Sequence, residues 1–143
     1  MNTQFYVTLA SDLDLSQQLN NGSNFKINLC PSLYLEDASS WRVGLSEIFL
    51  SDSSLNDLTL VCSNIVEYSN VGTLSLPYLR VLPSKPKKNI TFYPVQYKQL
   101  RFGHIISNIQ IYLTDMFGSN VSFPNLKLTC TLHFIKSTPW LLT

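Results

Sequence analysis

The chain has 143 residues, of which 45% are hydrophobic and only 13% charged, with a net charge of +1. That length suits one domain with a core of its own. The near-zero charge provides no strong field to attract nucleic acid or an anionic membrane, so no specific nucleic-acid partner is expected. No apolar run reaches the ~20 residues needed to cross a bilayer as a helix. Soluble domains ordinarily carry about 25% charged residues. The deficit has two readings: an ordinary β-protein rich in Ser, Thr and Asn, or a surface partly hidden in an assembly.

The opening Met1-Asn2-Thr3-Gln4 lacks a basic region followed by an apolar stretch, so no secretory signal is expected. In the first run, Phe5, Val7 and Leu9 alternate with Gln4, Tyr6 and Thr8, a half-buried strand. Leu13 to Leu19 is the sole helical candidate, one to two turns with Asp12 as cap. Asn20-Asn21-Gly22-Ser23 is a turn. Phe25, Ile27 and Leu29 then alternate with Lys26 and Asn28 until Pro31 interrupts the run. Trp41, Val43 and Leu45 lead a third run to Leu50. Its phase blurs around Ser46-Glu47-Ile48, as a β-bulge or two-sided burial would cause. Ser51 to Asp57 is polar loop.

Leu58 to Val66 is apolar on both faces, as in a strand covered twice. Asn70-Val71-Gly72 is turn-like, and Leu74 to Leu82 follows, with Pro77 marking an edge or a strand start. Pro83 to Lys88 is a rigid loop. It holds the one basic cluster, Lys85-Pro86-Lys87-Lys88, which reads as a solvated loop rather than a phosphate site. Ile90, Phe92 and Pro94 form a short run, and Val95 to Phe102 is less regular. Ile109, Ile111 and Leu113 alternate with polar partners up to an Asp115-Met116-Phe117-Gly118 turn that places Gly at positive φ. Leu126 to Phe134 is the cleanest period-two pattern in the chain.

About eight short strands separated by turns predict an all-β antiparallel sandwich, most simply a single jelly roll of two four-stranded sheets. The cysteine and tryptophan spacing that would favour an immunoglobulin-like sandwich is missing. Residues 1–143 read as one jelly-roll domain, with 137–143 a C-terminal tail. That tail carries Trp140, Leu141 and Leu142, the candidate subunit-interface residues; they dock on a neighbouring subunit or fold back on their own core.

Chemistry is sparse. Cys30, Cys62 and Cys130 are an odd number at wide spacing in apolar β-like segments. They read as free, buried small hydrophobes made in a reducing compartment. With no secretory route, the sequons at Asn21, Asn89 and Asn120 are coincidental. His133 falls on the polar face of a strand, solvated or hydrogen-bonded, and His104 falls in a loop. With those cysteines they do not make metal-ligand spacing. Glu47 sits at a hydrophobic-phase position, which suggests either a buried carboxylate or one paired or exposed at a bulge. Phe92, Tyr93, Tyr97, Lys98, Arg101 and Phe102 interleave rings with cations as single-strand nucleic-acid platforms do, although core packing with snorkelling basics explains them more cheaply. No nucleophile elbow or phosphate loop occurs, so neither catalytic residues nor a cofactor are expected.

Several segments occur in a telling order: Gln4-Phe5-Tyr6-Val7-Thr8-Leu9, Asn24 to Leu29, Trp41-Arg42-Val43-Gly44-Leu45-Ser46-Glu47-Ile48, Pro77-Tyr78-Leu79-Arg80-Val81-Leu82-Pro83, Tyr93-Pro94-Val95, Ile109 to Asp115, and Leu132-His133-Phe134-Ile135-Lys136. Together, from about residue 4 to 136, they resemble the penton (minor capsid) proteins of Polinton (Maverick) elements and adintovirus-like viruses. The resemblance implies a non-enzymatic virion protein, made inside the host cell. It would be a single jelly roll forming homopentamers at fivefold vertices beside a double-jelly-roll major capsid protein. The chain is short for that group and carries no inserted receptor-binding domain. The alternative function on these residues is a soluble sandwich that binds carbohydrate or peptide through its loops.

Overall fold

The computed structural model describes residues 3–12, 21–52, 55, 57–101, 103–123 and 125–136. The helical candidate 13–19 and the tail with Trp140, Leu141 and Leu142 lie outside the described residues. Eleven strands are seen among the described residues: β1 (Gln4–Ala10), β2 (Asn24–Tyr34), β3 (Trp41–Leu50), β4 (Thr59–Ser63), β5 (Ser69–Val71), β6 (Leu74–Leu76), β7 (Tyr78–Leu82), β8 (Asn89–Thr91), β9 (Tyr97–Gln99), β10 (Ile105–Thr114) and β11 (Leu128–Lys136). A short 3-10 turn, Ala38–Ser40, precedes β3.

The protein is an all-β antiparallel sandwich, as its periodicity predicts. One sheet has the order β1-β11-β3, with β8 and β9 one after the other along the outer edge of β3. The other runs β2-β10-β4-β7, and β5-β6 forms a separate ribbon. The pairing is nested: first strand with last, β2 with β10, β3 with β8 and β9, and β4 with β7. Side chains from both inner faces interdigitate into one apolar cluster, with Leu45, Leu132 and Phe134 from one sheet and Phe25, Ile109 and Ile111 from the other. Phe134 stacks on Phe5 at 4.8 Å between ring centres, and Trp41 tilts against Phe5 at 5.4 Å.

Three local features depart from or refine the sequence reading. Pro31 does not end β2. The strand continues to Tyr34, and the Cys30-Pro31 bond is cis. The register jumps from Asn108↔Asn28 to Ile106↔Leu33, so the extra β2 residues loop out of the ladder while pairing resumes beyond them. In β3 the blurred phase is a bulge. Thr131 pairs with Glu47 and Leu132 with Leu45, leaving Ser46 as the extra residue. The Ser46 carbonyl accepts the Phe92 N–H at 2.9 Å, and its hydroxyl donates to the Thr131 carbonyl at 3.0 Å. That shift returns Ile48 and Leu50 to the core and turns Glu47 outward, exposed, so the buried-carboxylate reading of Glu47 is wrong. Finally, Pro77 divides the 74–82 run in two. Leu74–Leu76 folds back on β5 through Gly72 at φ 60°, and only Tyr78–Leu82 joins the sheet.

β4 is buried at every residue, as its two-sided apolar pattern predicts. At the Asp115 turn, Gly118 has φ 83°, and Asp115 Oδ1 accepts the N–H groups of Phe117 and Ser119, both at 2.9 Å.

Candidate functional site

Two surfaces among the described residues bring polar and aromatic side chains together. The first is the outer face of the β1-β11-β3 sheet. Strand alternation places Tyr6, His133 and Gly44 in one cross-strand row, with Tyr97 of β9 next in line. His133 is only 7% exposed, because Tyr6 stacks on it at 4.4 Å and Tyr97 closes over its edge. Gly44 makes that closure possible. A Cβ there would collide with Val95 and lie 2.7 Å from the Gln96 carbonyl, so only glycine lets the 95–97 segment lie flat on β3.

Both imidazole nitrogens are engaged. Nε2 lies 2.8 Å from Gln4 Oε1, and Nδ1 lies 2.7 Å from the Tyr97 hydroxyl. A carboxamide oxygen only accepts, so Nε2 carries the proton and Nδ1 accepts from Tyr97. Burial lowers the His133 pKa below its ordinary 6.5 and raises that of Tyr97, which keeps the ring neutral and the phenol a donor. His133 is therefore hydrogen-bonded and covered, not solvated. It should also leave a pH signature. Folded protein takes up this proton less readily than unfolded chain, so its contribution is constant above about pH 6.5 and is lost as pH falls towards the folded pKa. Urea midpoints measured from pH 7.5 to 5 should drop more steeply for the native chain than for His133→Asn. Parallel curves would show that His133 does not titrate with folding.

Beside this row, the Thr8 hydroxyl bonds to Thr131 at 3.3 Å, and Thr131 donates to Glu47 Oε1 at 3.2 Å. Glu47 is thus an exposed, hydrogen-bonded acceptor at the bulge.

The second surface is the side of the sandwich where β7 of one sheet faces β8 and β9 of the other. Three cations cross it onto aromatic rings: Arg80 over Phe92 at 4.7 Å, Lys98 over Tyr78 at 4.0 Å, and Arg101 over Tyr68 at 5.1 Å. Arg80 Nη1 also donates to the Pro94 carbonyl at 3.0 Å. Backbone bonds from Glu67 to Gln99 (3.0 Å) and from Arg101 to Ile65 (2.8 Å) tie the same corner together. The two cations of the aromatic-basic stretch, Lys98 and Arg101, therefore lie over rings of the chain itself. Phe92 is buried, whereas Tyr93 stands 94% exposed; Phe102 lies outside the described residues.

Elsewhere, Lys85, Lys87 and Lys88 are exposed around a buried Pro86, a solvated loop. His104 precedes β10, with its ring 6.3 Å from that of Tyr34. No cluster of three His, Cys, Asp or Glu that could hold a metal occurs among the described residues. No helix among them is long and apolar enough to cross a membrane.

The cysteines are not equivalent, contrary to the expectation of three buried thiols. Cys62 and Cys130 are buried, and burial pushes their pKa values up to about 11 and about 12. Cys30 is exposed because it sits in the looped-out stretch of β2. One thiol should react promptly with a disulfide reagent in the folded protein, and three after denaturation. Three prompt equivalents would contradict the packing of β4 and β11.

Alternation places Tyr6 outward, and it is 63% exposed; Phe117 at 82%, Tyr34 at 70% and Ile105 at 60% are further large apolar residues on the surface that sequence reasoning missed, because they sit at strand ends or turns, where periodicity is silent.

No protein-family model matches the chain, and no curated protein matches it. Among solved structures it is similar to the Drosophila NLP core, whose crystal structure is described as giving insight into pentamer formation and histone binding. The TM-score is 0.35 at 15% identity, over 94% of this chain and 100% of that one.

Proposed function

We propose that the chain is a non-enzymatic structural capsid subunit, a single jelly roll that assembles as a homopentamer at a fivefold vertex beside a double-jelly-roll major capsid protein. The observation that carries the reading is the nested strand order. Pairing first with last, second with last but one, and so inward supports the jelly-roll reading, since a long hairpin rolled into two facing sheets would pair its strands in that order. The 13% charge content supports association, since interface cores are depleted in charged residues. So do the large apolar side chains left exposed at several points. Subunits in a closed ring meet through two different sides of the same domain, and those contacts need no symmetry within the chain.

Light scattering of the purified 143-residue chain tests this. The expected mass is five times the 16.2 kDa of one chain, unchanged on dilution. A monomer that binds glycans through its loops would instead establish the sandwich as a recognition module.

A further inference from the structure

A strand at the rim of a sheet offers unpaired backbone, and proteins blunt such edges with charges, prolines, bulges or brevity. Most edges of this sandwich are blunted. β2 carries Lys26 and Pro31 and breaks its register. β7 carries Arg80 and lies between Pro77 and Pro83. β8 and β9 are three residues each, with Lys88 just before the first and Lys98 within the second. β10 runs on past Ile111↔Ser63, its last pair with β4, but Asn64 caps the next rung. Asn64 Oδ1 accepts the Gln110 backbone N–H at 2.8 Å, and its Nδ2 donates to Asn108 Oδ1 at 3.0 Å.

β1 has none of these devices. Its seven residues, Gln4–Ala10, include no charge, proline or glycine, and they pair with β11 without a register shift. Among the described residues no strand pairs with its other side. The Lys136 N–H donates to the Thr3 carbonyl at 2.8 Å, and the Ser11 N–H to the Leu128 carbonyl at 2.9 Å. Phe5, Val7 and Leu9 therefore turn their backbone groups towards β11, and Gln4, Tyr6, Thr8 and Ala10 turn theirs to the open side. On the inner face Leu9 is buried, whereas Phe5 and Val7 are only half-buried. Such an edge suits an extended, uncharged strand with one apolar face.

β1 of a second copy is such a strand. Pairing must set inner face against inner face, because a slip of one residue reverses every side chain. Among the antiparallel registers that do so, the one centred on Val7 alone uses all four outward residues. Gln4 then faces Ala10 of the other copy and Tyr6 faces Thr8, each pair exchanging two backbone bonds. Phe5 meets Leu9 across the seam, Val7 meets its own counterpart, and no charge opposes another.

We propose that β1 is the interaction surface for a second copy of this chain, two β1 strands pairing antiparallel about a twofold axis at Val7 and joining two β1-β11-β3 sheets into one. Such a contact is isologous and cannot itself close a ring of five, so it goes beyond the assembly proposed above. Seven residues a side are far fewer than the about 20–30 of a stable interface. The pairing therefore belongs to concentrated protein and leaves the mass of the dilute chain unchanged.

Val7→Cys in a Cys30→Ser background tests it, since Cys30 is the exposed thiol and Cys62 and Cys130 are buried. Residues that meet on the axis bring their thiols within disulfide reach. Concentrated, air-oxidised protein should form a disulfide-linked dimer. Gln4→Cys in the same background puts the thiols at opposite ends of the seam and should give at least several-fold less. Adding Thr8→Lys, a charge at an exposed position, should cut the Val7→Cys crosslink at least several-fold with little change in the urea midpoint. In the native sequence, hydrogen exchange at the Tyr6, Thr8 and Ala10 amides should slow as the protein is concentrated. No crosslink from Val7→Cys, an equal yield from Gln4→Cys, or exchange at those amides that ignores concentration overturns the pairing, whatever the mass of the dilute chain. A crosslinked, protected β1 in a chain that is monomeric when dilute upholds the pairing and removes only the ring.

Discussion

Replacing Phe134 with alanine is expected to destabilise the fold by about 3–5 kcal/mol, the range for removing a fully buried aromatic side chain. Phe134 is 0% exposed and lies in β11, which is paired on both sides, to Phe5 and to Val43. Its ring stacks on Phe5 almost face to face, at 6° between planes. Both neighbours are fixed by the ladder, so the strands cannot close inward, and the void left by the ring stays open. Urea denaturation should show the loss as a lower midpoint with little change in slope. Phe117→Ala is the matching control, because that ring is 82% exposed and its loss should change stability by less than about 0.5 kcal/mol. Equal effects from the two variants would place the core elsewhere.

Gly22→Ala is the second large effect, through crowding instead of a void. Gly22 donates its N–H to the Leu126 carbonyl at 2.8 Å, and a Cβ on it would overlap that same carbonyl, with its carbon at 2.5 Å. The obstacle is backbone, so no rotamer change relieves it. Nor can the turn slide away: Asn21 Oδ1 accepts the backbone N–H of Ser23 at 2.8 Å and of Asn24 at 3.2 Å. Leu126 itself is buried at the start of the approach to β11. The expected cost is about 1–3 kcal/mol, as for overpacking elsewhere. Gly103→Ala, where a Cβ would meet nothing within 4 Å, should be close to neutral. A silent Gly22→Ala would mean that the 21–24 turn does not sit against the strand leading into β11.

The strands were legible in the sequence because each sheet has one dry face, and a period of two records that directly. β1, β3 and β11 fall where alternation places them. Glycine chemistry marked the turns at Gly72 and Gly118, both at positive φ. What alternation cannot record is which residues from distant segments cover a strand. His133 was assigned to a polar face, and it does point outward. It is buried because Tyr97 is laid over it by a segment that passes Gly44. Cys30 went the other way: its apolar neighbours suggested burial, yet the residues around Pro31 leave the ladder and expose it. Glu47 needed the register of β11 to show that Ser46, not the carboxylate, absorbs the irregularity.

The proposed assembly role is less legible than the fold for the same physical reason. An enzyme advertises itself through residue types at fixed spacing, whereas an assembly surface is ordinary apolar and polar area whose meaning depends on a second molecule. The open edge at Asn108 has no sequence signature, since it depends on β4 stopping at Ser63, and the exposed Tyr34–Ile105 pair has none either, since it depends on β2 resuming its pairing with β10 beyond the looped-out stretch. The interface candidates Trp140, Leu141 and Leu142 stood out only because three large apolar side chains follow a proline at the end of the chain.

Electron-microscope class averages of the purified protein show directly whether the proposed ring of five forms: closed rings with fivefold symmetry that persist on dilution are expected. Isolated single domains, or open filaments without a closed ring, would contradict it.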